Sequence, residues 1–394
     1  MEQNLSTSLL EATTAMEART ATTSSFDFER DKPGLLSDEL TKTLYVTNFV
    51  ILNCLICCFG LVSNALNMAV YRKQGLREAS NVSFFGLSVS DFCMLVFQLW
   101  MGVIEIPRLV TSSDLGVFLS ELTYVIGRPQ RSALVRTSVW ITVFITLQRC
   151  ACVVKPLKVK ALFTLRRTRI FIVACALFFM LNSIPLYLGL DIGNKFIPKT
   201  NTSRLGVIKK APTILSGTTV FTSMFFQLFS LCAIVLSNIV LLCAMRQRRY
   251  RLRHLVSGLS DQGAFEMSSR VGAEAAVPPA DVAAFNRWKK DKKMNKMVLL
   301  LSSLQLVSFT PSAIAFMVSL LEPKITPTGR YKNVFDTVWG FVVVLEALNA
   351  SINIVWYYSM SSRYKSTINE MFGWGTGPAA RSGGGHGRKV GGRE

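Results

Sequence analysis

This chain of 394 residues is short of what soluble proteins have in plenty. Only 17% of it is charged, against roughly a quarter in soluble domains, so a large solvated surface is excluded. There are two histidines, His254 and His386, both in hydrophilic stretches, which excludes a histidine-based metal or acid–base centre in the apolar part of the chain. No HExxH, GxSxG or Walker pattern occurs, and no paired acid set of the kind an intramembrane enzyme needs. The nine cysteines lie in or beside apolar stretches. There a thiol acts as a small apolar group, and no disulfide framework is implied. Residues 1–30 are rich in Ser, Thr and Glu and lack the apolar core of a secretory signal, so the first long apolar stretch is expected to act as the signal. Acids are scarce too: 24 Asp and Glu stand against 44 Lys and Arg, a net charge of +20.

What is present is hydrophobic length. Half the residues are hydrophobic and the mean hydropathy is +0.35. A helix needs ~20 apolar residues to cross a bilayer. Seven stretches satisfy this, near residues 44–70, 82–106, 121–153, 169–190, 212–245, 294–321 and 334–359. The fold class expected is therefore an all-α membrane protein, a seven-transmembrane helix bundle over 44–359, with a short amphipathic helix after the last span. That helix falls at 360–372, where Tyr364, Ile368 and Met371 repeat at helical spacing, a pattern suited to a membrane surface. Residues 1–43 read as a disordered polar tail and 373–394 as a second one. The longest break, 246–296, has basic clusters at both ends and a Gly/Ala/Ser/Pro-rich middle. Helical extensions are expected at its ends and disorder between them.

The basic charge has a direction. Segments 71–81, 149–168, 246–296 and 360–394 carry most of the Lys and Arg, while 1–43 holds four basic and eight acidic residues. Positive loops favour the cytoplasm, so the N-terminus is expected outside and the C-terminus inside. Charge arranged this way meets acidic lipid headgroups or an intracellular partner rather than nucleic acid. The glycosylation sequons at Asn4 and Asn201 both fall outside in this topology.

Polar groups inside a bilayer are costly, so each one needs a reason. Asp91 stands mid-span, and Asn64, Ser138, Asn349 and Asn353 lie at similar depth. Asn349 and Asn353 are four apart and share a helix face. Two readings stay open: a hydrogen-bonded packing network, or a site in which Asp91, Ser138 and Asn349 hold a small hard cation such as sodium. Arg149 ends the third span in Ile145-Thr146-Leu147-Gln148-Arg149-Cys150, a permanent multi-donor charge at the cytosolic face. Pro311 interrupts the sixth span just after Phe309 and should kink it.

Together these residues resemble the rhodopsin-like G-protein-coupled receptors over residues 44–372. Asn64 matches the first-helix asparagine, Asp91 the second-helix LxxxD aspartate, and Arg149 the arginine of the E/DRY motif, with Pro156-Leu157 at the expected distance beyond it. Pro311 matches the FxxCWxP proline, and Asn353 and Tyr357 match the NPxxY asparagine and tyrosine. Ser138 and Asn349 fall where this family helps hold sodium. The departures are specific. Gln148 replaces the acid of E/DRY, Ile354 the NPxxY proline and Phe309 the tryptophan switch. The cysteine pair that ties helix three to the second extracellular loop is missing, with Tyr124 near its place. Asn349-Ala350-Ser351-Ile352-Asn353 and the Tyr357–Tyr364 segment are similar to invertebrate receptors of the molluscan chemosensory and neuropeptide type.

The resemblance implies a plasma-membrane receptor rather than an enzyme, with no cofactor beyond an allosteric sodium ion. An extracellular ligand, a peptide or a small chemosensory molecule, would bias a conformational equilibrium. The sixth helix would move about Pro311, and a heterotrimeric G protein would dock near Arg149. Arg131 falls where amine receptors place an aspartate, so an anionic ligand group is implied. Arg136, Glu346, Trp100, Glu105, Gln227, Phe309 and Trp339 are the further candidates, with a purely structural Arg131–Glu346 salt bridge as the plain alternative. Two rival functions share the same residues. One is a transporter or channel, against which stands the lack of an internal repeat. The other is a receptor relative that does not signal.

Overall fold

The computed structural model describes residues 35–106, 114–154, 158–197, 202–209, 214–267, 279–326 and 329–374. Seven helices among them are long and apolar enough to cross a membrane. Helix α1 is Asp38–Gln74, α2 Ala79–Ile104, α3 Asp114–Val154 and α4 Leu165–Leu188. A hairpin of β1, Leu190–Ile197, and β2, Thr202–Lys209, follows. Then come α5, Ile214–Met267, α6, Pro279–Leu321, α7, Lys332–Met360, and the short α8, Ser362–Met371.

Helix is the only open structure that satisfies every backbone group within lipid, so β-branched runs are helical here in spite of their propensity. The ends are set by polar side chains. Ser37 accepts a hydrogen bond from the Leu40 amide at 3.3 Å, Thr164 from Arg167 at 3.3 Å and Ser361 from Tyr364 at 3.2 Å. Helix α4 is peripheral: Ile170, Val173, Leu177 and Leu181 form an exposed stripe at helical spacing, the face a lipid-bathed helix shows.

Three elements differ from expectation. The first helix begins at Asp38 rather than near 44 and passes through a π-helical stretch at Val46–Leu52. Helix α5 runs on to Met267 and α6 starts at Pro279, so the extensions into the long loop are larger than the charge clusters alone implied. The segment after α4 is an antiparallel hairpin with Ile192 opposite Val207 and Asn194 opposite Leu205. Residues 1–34 of the expected tail 1–43, residues 375–394 of the expected tail 373–394, the sequons Asn4 and Asn201, and Pro156 lie outside the described residues.

The core has two main layers. A layer at the α8 end packs Tyr71 and Phe84 with Ile145, Leu241, Met297, Tyr357 and Tyr364. A middle layer packs Leu95, Val139, Ile234, Phe309 and Ala347. Helices α1 and α7 pack closely at Gly60, where a Cβ would stand 2.1 Å from the Ser351 hydroxyl oxygen. Glycine is required there by space, not by backbone angle. Helix α7 is broken at Ile352, between Lys332–Ser351 and Asn353–Met360. The break falls within the Asn349–Asn353 segment that the sequence singled out.

Candidate functional site

Buried polar groups line the bundle axis from one end to the other. In the half next to the hairpin, Arg131 of α3 pairs with Glu346 of α7, and both side chains are buried. The Arg131 Nε also donates to the Gln98 side-chain oxygen at 2.7 Å. Gln98 in turn donates to Asn53 and, at 2.9 Å, to the carbonyl of Val343. Four helices are thus joined through one guanidinium. Neither Asn53 nor Gln98 was expected in the site. The signal was available, since each is an amide inside an apolar span.

At mid-depth, Asp91 accepts from Ser138 at 2.6 Å and from the Asn353 amide at 2.9 Å. Its two oxygens therefore bridge α3 to the second piece of α7. Asn64 donates to the carbonyls of Gly60 and Ala350, both at 2.9 Å, so it holds the residues just before the break. Asn67 links Asn64 to the Tyr364 hydroxyl of α8. Asn349 is different: its amide donates to Gln305 of α6 at 2.8 Å. It ties α7 to α6 four residues away from the bond that Asn353 makes with Asp91.

At the α8 end, Gln148 does not pair with its neighbour Arg149. Its oxygen accepts from Ser83 of α2 at 3.2 Å and its amide reaches Thr168 of α4 at 3.5 Å. Arg149 lines a cavity of about 690 Å³ together with Tyr71, Asn81, Lys292, Lys296 and Arg363. Ion pairs from Arg363 to Glu78 and from Lys73 to Glu370, both 3.0 Å, fix α8 against the first turn between helices. Burial pushes the Tyr364 phenol well above its ordinary range. Tyr357 is fully buried among Tyr71, Phe84 and Tyr364, and its hydroxyl has no hydrogen-bond partner.

The remaining candidates are spread out. Gln227 of α5 donates to Ser312 at 2.7 Å, next to Pro311, through which α6 runs as one unbroken helix. Phe309 is in the middle core layer rather than on an open wall. Trp339 packs edge-on against Phe316 at 4.9 Å, Trp100 lies 6.3 Å from Phe97, and Glu105 closes the end of α2. No disulfide is formed among the described residues. Where a disulfide would tie helix three to the hairpin, the Glu121 carboxylate instead accepts the Val207 amide at 2.9 Å.

Seven spanning helices, an arginine-lined cavity at one end and buried polar clusters within the bundle define a membrane receptor architecture. Residues 64–357 match the family model of the 7 transmembrane receptors of the rhodopsin family. The chain belongs to that family, as a multi-pass protein of the plasma membrane and not an enzyme. It is also similar to the FMRFamide receptor of Drosophila melanogaster, 25% identical over 134 residues. That match covers 32% of this chain and 24% of the fly receptor.

Proposed function

We propose that this chain is a receptor that binds an extracellular ligand and, in response, activates a heterotrimeric G protein. The observation that carries the reading is that separate buried polar clusters are anchored along one helix, α7. Glu346, paired with Arg131 of α3, lies above Asn349, and Asp91 grips the same helix below the break at Ile352. A ligand that moves Glu346 therefore pulls on the element whose lower piece packs against Tyr71 and Tyr364, beside the Arg149 cavity. Such a ligand shifts populations only by its differential affinity for the two arrangements. The ligand class we favour is a peptide, supported by the name of the fly relative. The basic loops support the orientation with the N-terminus outside and the cavity in the cytosol.

Asp91 and Ser138 form the chemistry of a sodium site, a buried carboxylate beside a hydroxyl oxygen. Asn349 is engaged with Gln305. We assign sodium to Asp91 and Ser138 first, with the ion competing against the Asn353 bond.

The test is guanine-nucleotide exchange on purified heterotrimers by the receptor in lipid nanodiscs, with a peptide library as the ligand source. Exchange that rises with a peptide and is lost in Arg149→Ala supports the reading. Transport of a solute without G protein, with no exchange, overturns it.

A further inference from the structure

Helix α3 carries a second buried arginine that lies outside the Arg131–Glu346 pair. Arg136 is only 5% exposed. Its guanidinium lies 5.9 Å from the ring centre of Phe179 on α4, and its Nε is buried with no hydrogen-bond partner. The carboxylate whose charge it feels, Glu346, is already taken by Arg131. The other buried acid, Asp91, is engaged through Ser138 and Asn353. Ser138 is two residues along from Arg136, roughly 200° around the helix, so that acid faces away.

Trp140 lies one turn on from Arg136 and shares its face of α3. Its indole Nε1 is also buried without a partner, and its ring leans on Phe229 of α5 at 5.5 Å. Two buried donors on one face of α3, one beside Phe179 of α4 and one whose ring packs on Phe229 of α5, thus meet no acceptor. A guanidinium keeps its charge, and a buried charge is costly until it is matched.

We propose that Arg136 and Trp140 form an anion site where α3 packs against α4 and α5, separate from the Arg131–Glu346 pair. The anion is a free halide or the carboxylate of the receptor's ligand; both offer the charge and the acceptor lone pairs that the two donors need. Only the second source rests on the ligand-binding reading above.

The experiment uses the full chain in nanodiscs and reads its thermal unfolding midpoint without G protein. Sodium is held constant, and sodium isethionate is exchanged stepwise for sodium chloride or for sodium propionate. The wild type is expected to show a saturable rise in midpoint. A rise with chloride assigns the site to a free halide, and a rise with propionate alone assigns it to a ligand carboxylate. Arg136→Met is expected to abolish the rise and Arg136→Lys to keep it at higher concentrations. If Arg136→Met fails to fold, Trp140→Phe decides. Loss of one neutral donor should raise the half-saturating concentration about fivefold. No anion dependence in the wild type, or the same dependence in Trp140→Phe, overturns the proposal. Either result leaves the nucleotide-exchange test standing, because no G protein is present.

Discussion

The side-chain oxygen of Gln148 accepts a hydrogen bond from the Ser83 hydroxyl at 3.2 Å. The position that holds an acid in the E/DRY motif therefore braces α2 and α4 instead of locking its neighbour Arg149. Gln148→Glu restores a charge at that point. A carboxylate there can bond Arg149 and favour the arrangement in which the cavity is closed. One charge-assisted hydrogen bond should lower basal nucleotide exchange about tenfold. Unchanged basal exchange in that variant would show that Arg149 is governed elsewhere.

The Arg131–Glu346 pair is buried on both sides. Removing one partner strands the other charge away from water, at a cost of about 3–5 kcal/mol. Arg131→Met and Glu346→Gln should each lower the thermal midpoint sharply. The double variant should be more stable than the sum of the two losses, because no lone charge remains. Strict additivity would mean that the two groups do not act as a pair.

Part of this site could be read directly from the residues. Asp91, Ser138 and Asn353 are polar groups at one depth in apolar helices, and lipid leaves them no partners but each other. Their mutual bonds follow from that alone. The same reasoning reached the Arg131–Glu346 pair. It did not reach the partner of Asn349, because depth and face leave two neighbouring helices open and only packing decides between Asp91 and Gln305. The hairpin was missed for a different reason. Its strands, Leu190–Ile197 and Thr202–Lys209, alternate only loosely and contain Gly193 and Gly206. Strand pairing there depends on a partner segment and on the Glu121 bond, neither of which is local in sequence.

Gly60 is a tight point between α1 and α7. In Gly60→Ala the new methyl meets Ser351 Oγ, at 2.1 Å in the undistorted geometry, and Leu95 Cδ1 at 2.6 Å. Overpacking of this kind costs about 1–3 kcal/mol. Ser351→Ala in the same chain removes the nearest atom and should recover part of the loss, though not the Leu95 clash. A thermal melt of the single and double variants checks both statements. Equal midpoints in all three chains would place the two helices further apart.

Glu121 holds the hairpin to α3 through the Val207 amide at 2.9 Å, and no disulfide is formed among the described residues. A hydrogen bond restrains a loop far less than a covalent bridge, since its net contribution is about 1 kcal/mol. The hairpin should therefore open locally without unfolding of the bundle. In Glu121→Ala, hydrogen exchange at the Val207 amide should quicken by about fivefold, with little change in the melting of the helices. In Glu121→Gln the neutral oxygen can still accept, so exchange should fall between the two. A Val207 amide that exchanges at the same rate in all three proteins would mean that other contacts hold β2 in place, and that the Glu121 bond is a consequence of the hairpin's position rather than its cause.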